Sequence, residues 1–489
     1  MLSRPVRNTW GVQLDHEQCY RAVESRDARF DGWFVTAVRT TKIYCRPSCP
    51  AISPKRQNVD FFTTGATAQQ RGYRACKRCR PDATPGSPEW STRSDVVGRA
   101  MRLIADGVVD REGVSGLAAR LSYSERQVHR LLTTEVGTGP IALARAQRAQ
   151  TARLLIETTT LPITQVAFAA GFSSVRQFND TVKDVYATTP TLLRASCRTA
   201  VAGSAQLTIR LAVRQPFQAD RLLSFFATRA VRGVESFDGS RYSRSLRLDR
   251  GAGVVAMSVV DGIVHCSLWL DQIADVQAAV QRCRRMFDLD ADPMSIDERL
   301  ATDSLLAPLV ATRPGLRSPG HPDGAELLTR AILGQQVSVK GARTLAERLV
   351  ALCGEPLLQP VGDITHLFPS ADAVALRLPS DFAMPTRRGA ALIGANQALA
   401  DGAISIDPGS DRDEVYHSLC GLPGIGPWTA SYVLMRSLND PDVFLPTDIG
   451  VRNALRGIDA ESTPRAAADR ADGWRPWRSY ALHHLWATL

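Results

Sequence analysis

The chain has 489 residues, 44% of them hydrophobic and 22% charged. That composition excludes a fibre or a disordered chain, and at ~150 residues per domain it points to about three domains, with two or four open. Lys and Arg (59) against Asp and Glu (49) leave a net charge of +10, which favours an acidic partner, nucleic acid ahead of membrane.

No run reaches the ~18 apolar residues of a spanning helix. The start, Met1-Leu2-Ser3-Arg4-Pro5-Val6-Arg7, leads into no apolar signal core, so a cytoplasmic protein without a membrane partner is expected. Residues 1–82 carry 15 basic and 7 acidic side chains, whereas 291–489 carry 18 and 23, so the basic excess sits at the front. Pro/Gly/Ser-rich 82–88 and small, polar 196–205 are two candidate linkers.

The first segment holds Cys45-Arg46-Pro47-Ser48-Cys49 and Cys76-Lys77-Arg78-Cys79, with 26 residues between the inner cysteines and nine basic residues from Lys42 to Arg80. Each pair can offer two thiolates to one tetrahedral ion, and four cysteines make a closed zinc site by ligand count. On spacing alone, a purely structural ion stays open beside a reactive one. The run Phe34 to Cys49 and the run Phe61 to Pro81 resemble the N-terminal domain of Ada-type DNA methylation-response proteins. The resemblance implies one Zn²⁺ on Cys45, Cys49, Cys76 and Cys79, with Cys45 as the sulfur that takes a methyl group irreversibly from a DNA methylphosphotriester. Four thiolates on Zn²⁺ carry a formal −2, and methylation of Cys45 would change that to −1, lowering repulsion of phosphate and raising DNA affinity.

Residues 94–194 show helical spacing with Gly turns. Val114 to Leu132 reads as helix, tight turn, helix, with Ser124 placed as a cap; Ile163 to Asn179 repeats the scheme, with Gly171 ending the first helix and Ser173 as the expected cap of the second. Two such units resemble the AraC-type double helix-turn-helix domain, whose reading helices enter successive major grooves. That resemblance puts Glu125, Arg126, Gln127, His129 and Arg130 on the first reading helix, and Ser174, Arg176, Gln177 and Asn179 on the second. A metal role for His129 is not expected, since no partner ligand lies near it.

Beyond the second linker, Leu207 to Val213, Val254 to Val260 and Ile263 to Trp269 alternate as strands, the last two joined by the Asp261-Gly262 hairpin signal, and Leu222 to Thr228 and Gln277 to Phe287 suit helices. Cys266, Cys283, Cys353 and Cys420 have no ligand spacing and read as small core residues. From about 295 onward the pattern is helical, broken by Pro and Gly. Leu422-Pro423-Gly424-Ile425-Gly426-Pro427-Trp428 suits a tight hairpin between helices, and Asp448 follows 20 residues after Trp428. With Gly334-Gln335-Gln336 upstream, these residues resemble helix-hairpin-helix DNA glycosylases of the AlkA type (3-methyladenine DNA glycosylase II) over about 206–489.

The resemblance implies that Asp448 is the catalytic carboxylate, that Trp428, Tyr432 and Trp486 receive the flipped base, and that the Gly424/Gly426 hairpin and Gln336 contact DNA, Gln336 standing where relatives carry an apolar wedge. Lyase relatives carry a Lys at the position of Trp428, so a monofunctional hydrolase is implied. No Pro-Cys-His-Arg tetrapeptide occurs, so the O6-methylguanine transferase of Ada proteins should be missing.

The expected architecture is multidomain α+β: an Ada-type zinc domain (1–82), an all-α AraC-type domain (94–195), an α+β sheet domain (206–294) and an all-α helix-hairpin-helix glycosylase domain (295–489). The expected function is adaptive-response DNA repair with transcription regulation on double-stranded DNA, in a bacterial-type, nucleoid-associated cytoplasmic setting, with RNA polymerase as the partner of an activator. The rival is a regulator whose glycosylase-like half only clamps DNA; the intact hairpin with Asp448 favours the enzyme.

Overall fold

A computed structural model describes residues 6–7, 13–83, 86–93, 95–195 and 206–489. It divides into two units, 1–213 with 267–281, and 214–266 with 282–489. The expected linker 196–205 lies outside the described residues.

In the first unit β1 (Val6–Arg7) and β2 (Gln13–Leu14) pair antiparallel, and the capping box of Asp15 and Gln18 starts helix His16–Glu24. A four-stranded sheet follows, made of β3 (Val35–Val38), β4 (Ile43–Cys45), β5 (Val59–Phe62) and β6 (Arg74–Ala75), in the order β5-β3-β4-β6. Its core is Cys19, Trp33, Phe34, Val59 and Phe61, with the Phe34 and Phe61 rings edge to face at 5.4 Å. β4 and β6 are parallel, with Tyr44 opposite Ala75 and the Cys76 amide donating to Tyr44 O at 2.9 Å. That register sets Cys45 and Cys76, each one residue further on, side by side. Sequence spacing brings each cysteine pair together; this pairing of distant strands brings the pairs to each other.

Residues 96–195 are helical, as the pattern requires. Helix Pro140–Thr158 starts on a proline at its first position, where the missing N–H costs nothing. It connects the two helix-turn-helix units. The zinc module packs on it, with Arg153 pairing with Asp82 at 3.1 Å and Arg80 with Glu157, while Arg153 and Glu157 pair within the helix at 2.8 Å; the module also meets the end of the preceding helix Glu125–Glu135, where Thr67 Oγ1 donates to Val136 O at 2.8 Å. Asp82 opens the expected linker 82–88, so this end of it is anchored in the unit.

A five-stranded sheet runs in the order β7-β11-β10-β9-β8, with β7 (Gln206–Leu211), β8 (Glu235–Phe237), β9 (Arg241–Leu248), β10 (Gly251–Val260) and β11 (Ile263–Leu270). Asp261 (φ 51) and Gly262 (φ 70) make the turn between β10 and β11 with both residues left-handed, the geometry a two-residue hairpin needs. β8 and β9 escape the sequence reading because their Ser and Arg residues mask the alternation. Helices Ala219–Arg229 and Val276–Met286 stand where expected.

The rest is helical around Trp474, Trp477, Leu482 and Leu485, apart from the hairpin of β12 (Glu355–Val361) and β13 (Ile364–Leu367), which the helical pattern does not anticipate. A buried ionic cluster ties the sheet strands to helix Gly324–Leu333. Arg244 reaches Glu326 at 2.6 Å, Arg330 reaches Glu235 at 2.8 Å and Glu326 at 3.0 Å, and Tyr242 donates to Glu235 at 2.5 Å. Cys266 and Cys283 are core residues as expected, whereas Cys353 and Cys420 are half-buried at the core's edge.

Candidate functional site

The ligand atoms of Cys45, Cys49, Cys76 and Cys79 all lie within 4.8 Å of one another. A Zn–S bond of ~2.3 Å gives a tetrahedral sulfur–sulfur edge of ~3.8 Å, so a small contraction closes the four thiols on one ion. They form the site for one Zn²⁺, and among the described residues this is the cluster with such geometry. Cys76 and Cys79 are buried, whereas Cys45 and Cys49 are half-exposed, so a reacting group from solvent meets the first pair. Asp31 holds the first knuckle, accepting from Ser48 N at 3.0 Å and Ser48 Oγ at 2.6 Å and facing Arg46 at 3.4 Å. Lys77 and Arg78, inside the second knuckle, are exposed and suit a phosphate backbone.

In the first helix-turn-helix the capping box of Ser124 and Gln127 starts helix Glu125–Glu135. Val128 and Leu132 are buried, while Glu125, Arg126, Gln127, His129 and Arg130 are all exposed. In the second, Gly171 (φ 86) turns the chain and Ser174, not the expected Ser173, caps Val175–Tyr186 by accepting from Gln177 N at 3.1 Å. Ser173 Oγ instead donates to Gln177 Oε1 at 3.1 Å. Phe178 and Val182 face inward, leaving Ser174, Arg176, Gln177 and Asn179 exposed. Gln127 and Gln177 both have Oε1 engaged in these turns, so reading an adenine with both amide ends would require releasing a cap bond.

The helix hairpin joins Arg412–Cys420 to Pro427–Ser437. Gly424 (φ 83) admits no side chain, since a Cβ there would lie 2.7 Å from Ala391 Cβ. Gln335 Nε2 donates to Gly424 O and Thr429 Oγ1, both at 3.1 Å, pinning the hairpin to the helix before it. The next residue, Gln336, is exposed with φ 56, a left-handed conformation that costs energy for any residue with a Cβ.

Asp448 caps helix Ile449–Gly457, its Oδ1 accepting from Val451 N at 2.9 Å. Two of the expected base-pocket aromatics bind this carboxylate directly: Trp486 Nε1 donates to Oδ1 at 2.9 Å and Trp428 Nε1 to Oδ2 at 3.1 Å. Gly450 makes room, as a Cβ there would come within 3.2 Å of the Trp486 indole. Trp428 stacks on Tyr432 at 5.1 Å and 6°, and Arg436 donates to Tyr432 Oη at 2.7 Å while lying 4.6 Å over the Phe225 ring. Phe225 meets His483 edge-on at 5.7 Å, and His483 meets Trp486 at 5.1 Å. The contacts close on themselves through Asp448, Trp486, His483, Phe225, Arg436, Tyr432 and Trp428. Burial pushes the Tyr432 hydroxyl up, but Arg436, Arg229 and Arg330 outweigh it and hold it below its ordinary value.

Phe225, Arg229, Arg436 and His483 are the members of this surround that sequence reasoning missed. Arg436 could have been found, because Trp428, Tyr432 and Arg436 recur every four residues along one helix face. Phe225 offered no signal: it sits on a helix of the sheet region some 200 residues before the hairpin.

Three family models match: the metal binding domain of Ada over residues 18–82, a helix-turn-helix domain over 117–196 and the AlkA N-terminal domain over 208–323. The chain is 52% identical over 479 residues, 97% of each chain, to the Mycobacterium tuberculosis protein named "Probable bifunctional transcriptional activator/DNA repair enzyme AlkA". It is 35% identical over 282 residues, 56% of this chain and 94% of the relative, to DNA-3-methyladenine glycosylase 2 of Escherichia coli. In fold it is similar to the solved 3-methyladenine DNA glycosylase of Archaeoglobus fulgidus, with a TM-score of 0.51 at 18% identity over 57% of this chain and 97% of that one. No helix among the described residues is long and apolar enough to cross a membrane. The chain belongs to the family of bifunctional DNA repair proteins in which an Ada-type zinc domain and a helix-turn-helix region precede an AlkA-type glycosylase region.

Proposed function

We propose that the chain removes alkylated purines from double-stranded DNA by N-glycosidic hydrolysis and repairs methylphosphotriesters at Cys45, coupling repair to transcription. The four parts are 1–82, 94–195, 206–294 and 295–489. The observation that carries the glycosylase reading is the Asp448 carboxylate, held by two indole N–H groups beside a helix hairpin and within an aromatic surround. A flipped alkylated purine stacks on Trp428, Tyr432 and Trp486 and already carries positive charge, so its glycosidic electron pair leaves readily with the base. The sugar left behind is oxocarbenium-like, and Asp448 stabilises that charge as water adds to C1′ and gives up a proton. Gly424 and Gly426 present backbone to a phosphate, and Gln336, strained and exposed, fills the gap in the duplex. Trp428 in place of an amine supports hydrolysis without lyase chemistry.

Zinc, held by Cys45, Cys49, Cys76 and Cys79, keeps the ligating sulfurs as thiolates at neutral pH. The Cys45 sulfur attacks the methyl carbon; a C–S bond forms as the C–O bond breaks, and the phosphodiester departs with the electron pair. Cys45 is assigned as that sulfur by its match to the Ada-type motif, and its half-exposed position supports the assignment. The reading helices, through Arg126, Gln127, Arg130, Arg176, Gln177 and Asn179, then hold promoter DNA, and RNA polymerase is the partner. A bacterial-type cytoplasmic, nucleoid-associated location fits this role.

Incubation of the whole chain with DNA carrying alkylated purines or methylphosphotriesters tests both reactions. Free base and one S-methyl group on Cys45 are expected. Absence of base release leaves only a DNA clamp, a methyl group on another cysteine overturns the acceptor assignment, and a borohydride-trapped adduct overturns the hydrolase reading.

A further inference from the structure

The surround of Asp448 contains a histidine whose chemistry the proposed reaction does not use. His483, on helix Arg478–Trp486, stands between the rings of Phe225 and Trp486, two members of the closed set of contacts. It is 5% exposed, and its Nε2 is buried without a hydrogen-bond partner. An unsatisfied buried nitrogen destabilises the fold, and a leucine would fill the same space without that cost. A hydrogen-bonding group that arrives with a ligand would satisfy it.

We infer that His483 is a specificity-determining residue, its imidazole hydrogen-bonding the exocyclic group at C6 of the flipped alkylated purine. The inference rests on the glycosylase reading. Burial above all, then Arg436, Arg229 and His484, hold the imidazole well below its ordinary pKa, so it is neutral and does not repel a cationic base. Stacking on indoles serves every purine alike, because each has a π-face; only a directional bond sorts them. The positive charge of an alkylated purine strengthens its N–H donors and weakens its carbonyl acceptors, so the neutral imidazole acts as acceptor. At C6 an adenine-type base presents an amino donor and a guanine-type base a carbonyl. His483 therefore favours 3-methyladenine over 7-methylguanine.

The test is single-turnover release of both bases from methylated DNA by wild type, His483→Leu and His483→Gln, with Tm measured for each. His483→Leu should release 3-methyladenine about tenfold more slowly, the worth of one hydrogen bond, with 7-methylguanine within about twofold and Tm no lower than wild type; His483→Gln, which keeps an acceptor, should recover most of the loss. Equal loss for both bases, or loss for neither, overturns the inference and leaves the glycosylase reading standing. Release of neither base by wild type overturns both. Should the leucine variant fail to fold, the glutamine and a His483→Phe variant carry the same comparison.

Discussion

Asp448→Asn removes one charge and changes little in size, and its effect is set by the three donors around the carboxylate. Oδ1 receives Val451 N and Trp486 Nε1, each at 2.9 Å; Oδ2 receives Trp428 Nε1 at 3.1 Å. An asparagine oriented with its oxygen toward the first two keeps both bonds, and its NH₂ then faces the Trp428 N–H, donor against donor. At this half-exposed position one charge-assisted hydrogen bond is worth ~1 kcal/mol, and a Tm lower by ~2–4 °C is expected. The catalytic loss is larger, since the charge acts on the cationic sugar: ~3–4 kcal/mol, or ~100- to 1000-fold in the rate of base release. Binding to abasic DNA, carried by hairpin backbone and basic side chains, should stay within a small factor. Single-turnover base release with enzyme in excess, alongside DNA binding and a thermal melt, separates the three quantities. Trp428→Phe should cost ~10-fold by removing the indole N–H that donates to Oδ2. An Asp448→Asn protein that releases base within tenfold of wild type would refute the reasoning, because the transition-state charge would then have another counterion.

Elemental analysis should find one zinc per chain in the wild type and none in Cys76→Ser/Cys79→Ser, with loss of the sheet around Tyr44 read by circular dichroism, as ligation holds β4 against β6. Glu326→Gln should destabilise the second unit by ~3–5 kcal/mol in denaturant titration, since buried Arg244 and Arg330 would be left sharing the single charge of Glu235. Burial pushes the Glu326 carboxyl up, but Arg244 and His321, with Arg330, hold it well below the usual range. Its contribution is therefore present above the unfolded value of ~4.3 and lost as pH falls through the folded one, so the variant should show a flatter acid limb below pH ~4. Asp288 behaves in the opposite sense: burial pushes its carboxyl up to about 7 against the relief from Arg317 and the Tyr480 hydroxyl. The stability it lends is present below pH ~4 and lost as pH rises to about 7, so Asp288→Asn should be more stable than wild type by ~2–4 kcal/mol at pH 8 and no more stable at pH 4.

What the sequence disclosed depended on the range over which each signal acts. The cysteine pairs, the Ser124 cap, the Asp261-Gly262 turn and the Gly424 hairpin are local, so their chemistry is written in adjacent residues. β8 and β9 were illegible because Arg244 and Glu235, charged residues that interrupt an apolar alternation, are buried against each other and close to Glu326, a pairing that neither strand announces alone. Ser173 and Ser174 offer the same cap chemistry one residue apart, and only backbone geometry chooses between them. Trp428 and Trp486 were legible as aromatic, but not as donors to Asp448, because that role depends on Gly450 and on a helix 38 residues further along. Phe225 and His483 meet across more than 250 residues.

The zinc module and the reading helices raise a physical question that the linker composition alone would answer wrongly. A flexible 82–88 segment would let the knuckles and the helix-turn-helix units bind DNA semi-independently, coupled only by an effective concentration. Instead Asp82 is buried against Arg153 of the connecting helix, Arg153 lies over the Tyr186 ring at 5.0 Å, and Arg80, the residue after Cys79, pairs with Glu157. Tyr186 ends the second reading helix, so the knuckle, the connecting helix and that helix share one set of charged contacts. Under the proposed methyl transfer, the unit of negative charge lost at Cys45 acts on phosphates near the metal site, within a Debye length of ~8 Å at physiological salt. Because those contacts tie the knuckle to the helix that bears Arg176 and Asn179, the gain is realised in the same binding event as the base contacts proposed for them. Charge at the sulfur can thus be read as occupancy of a DNA sequence without a change in the shape of the protein.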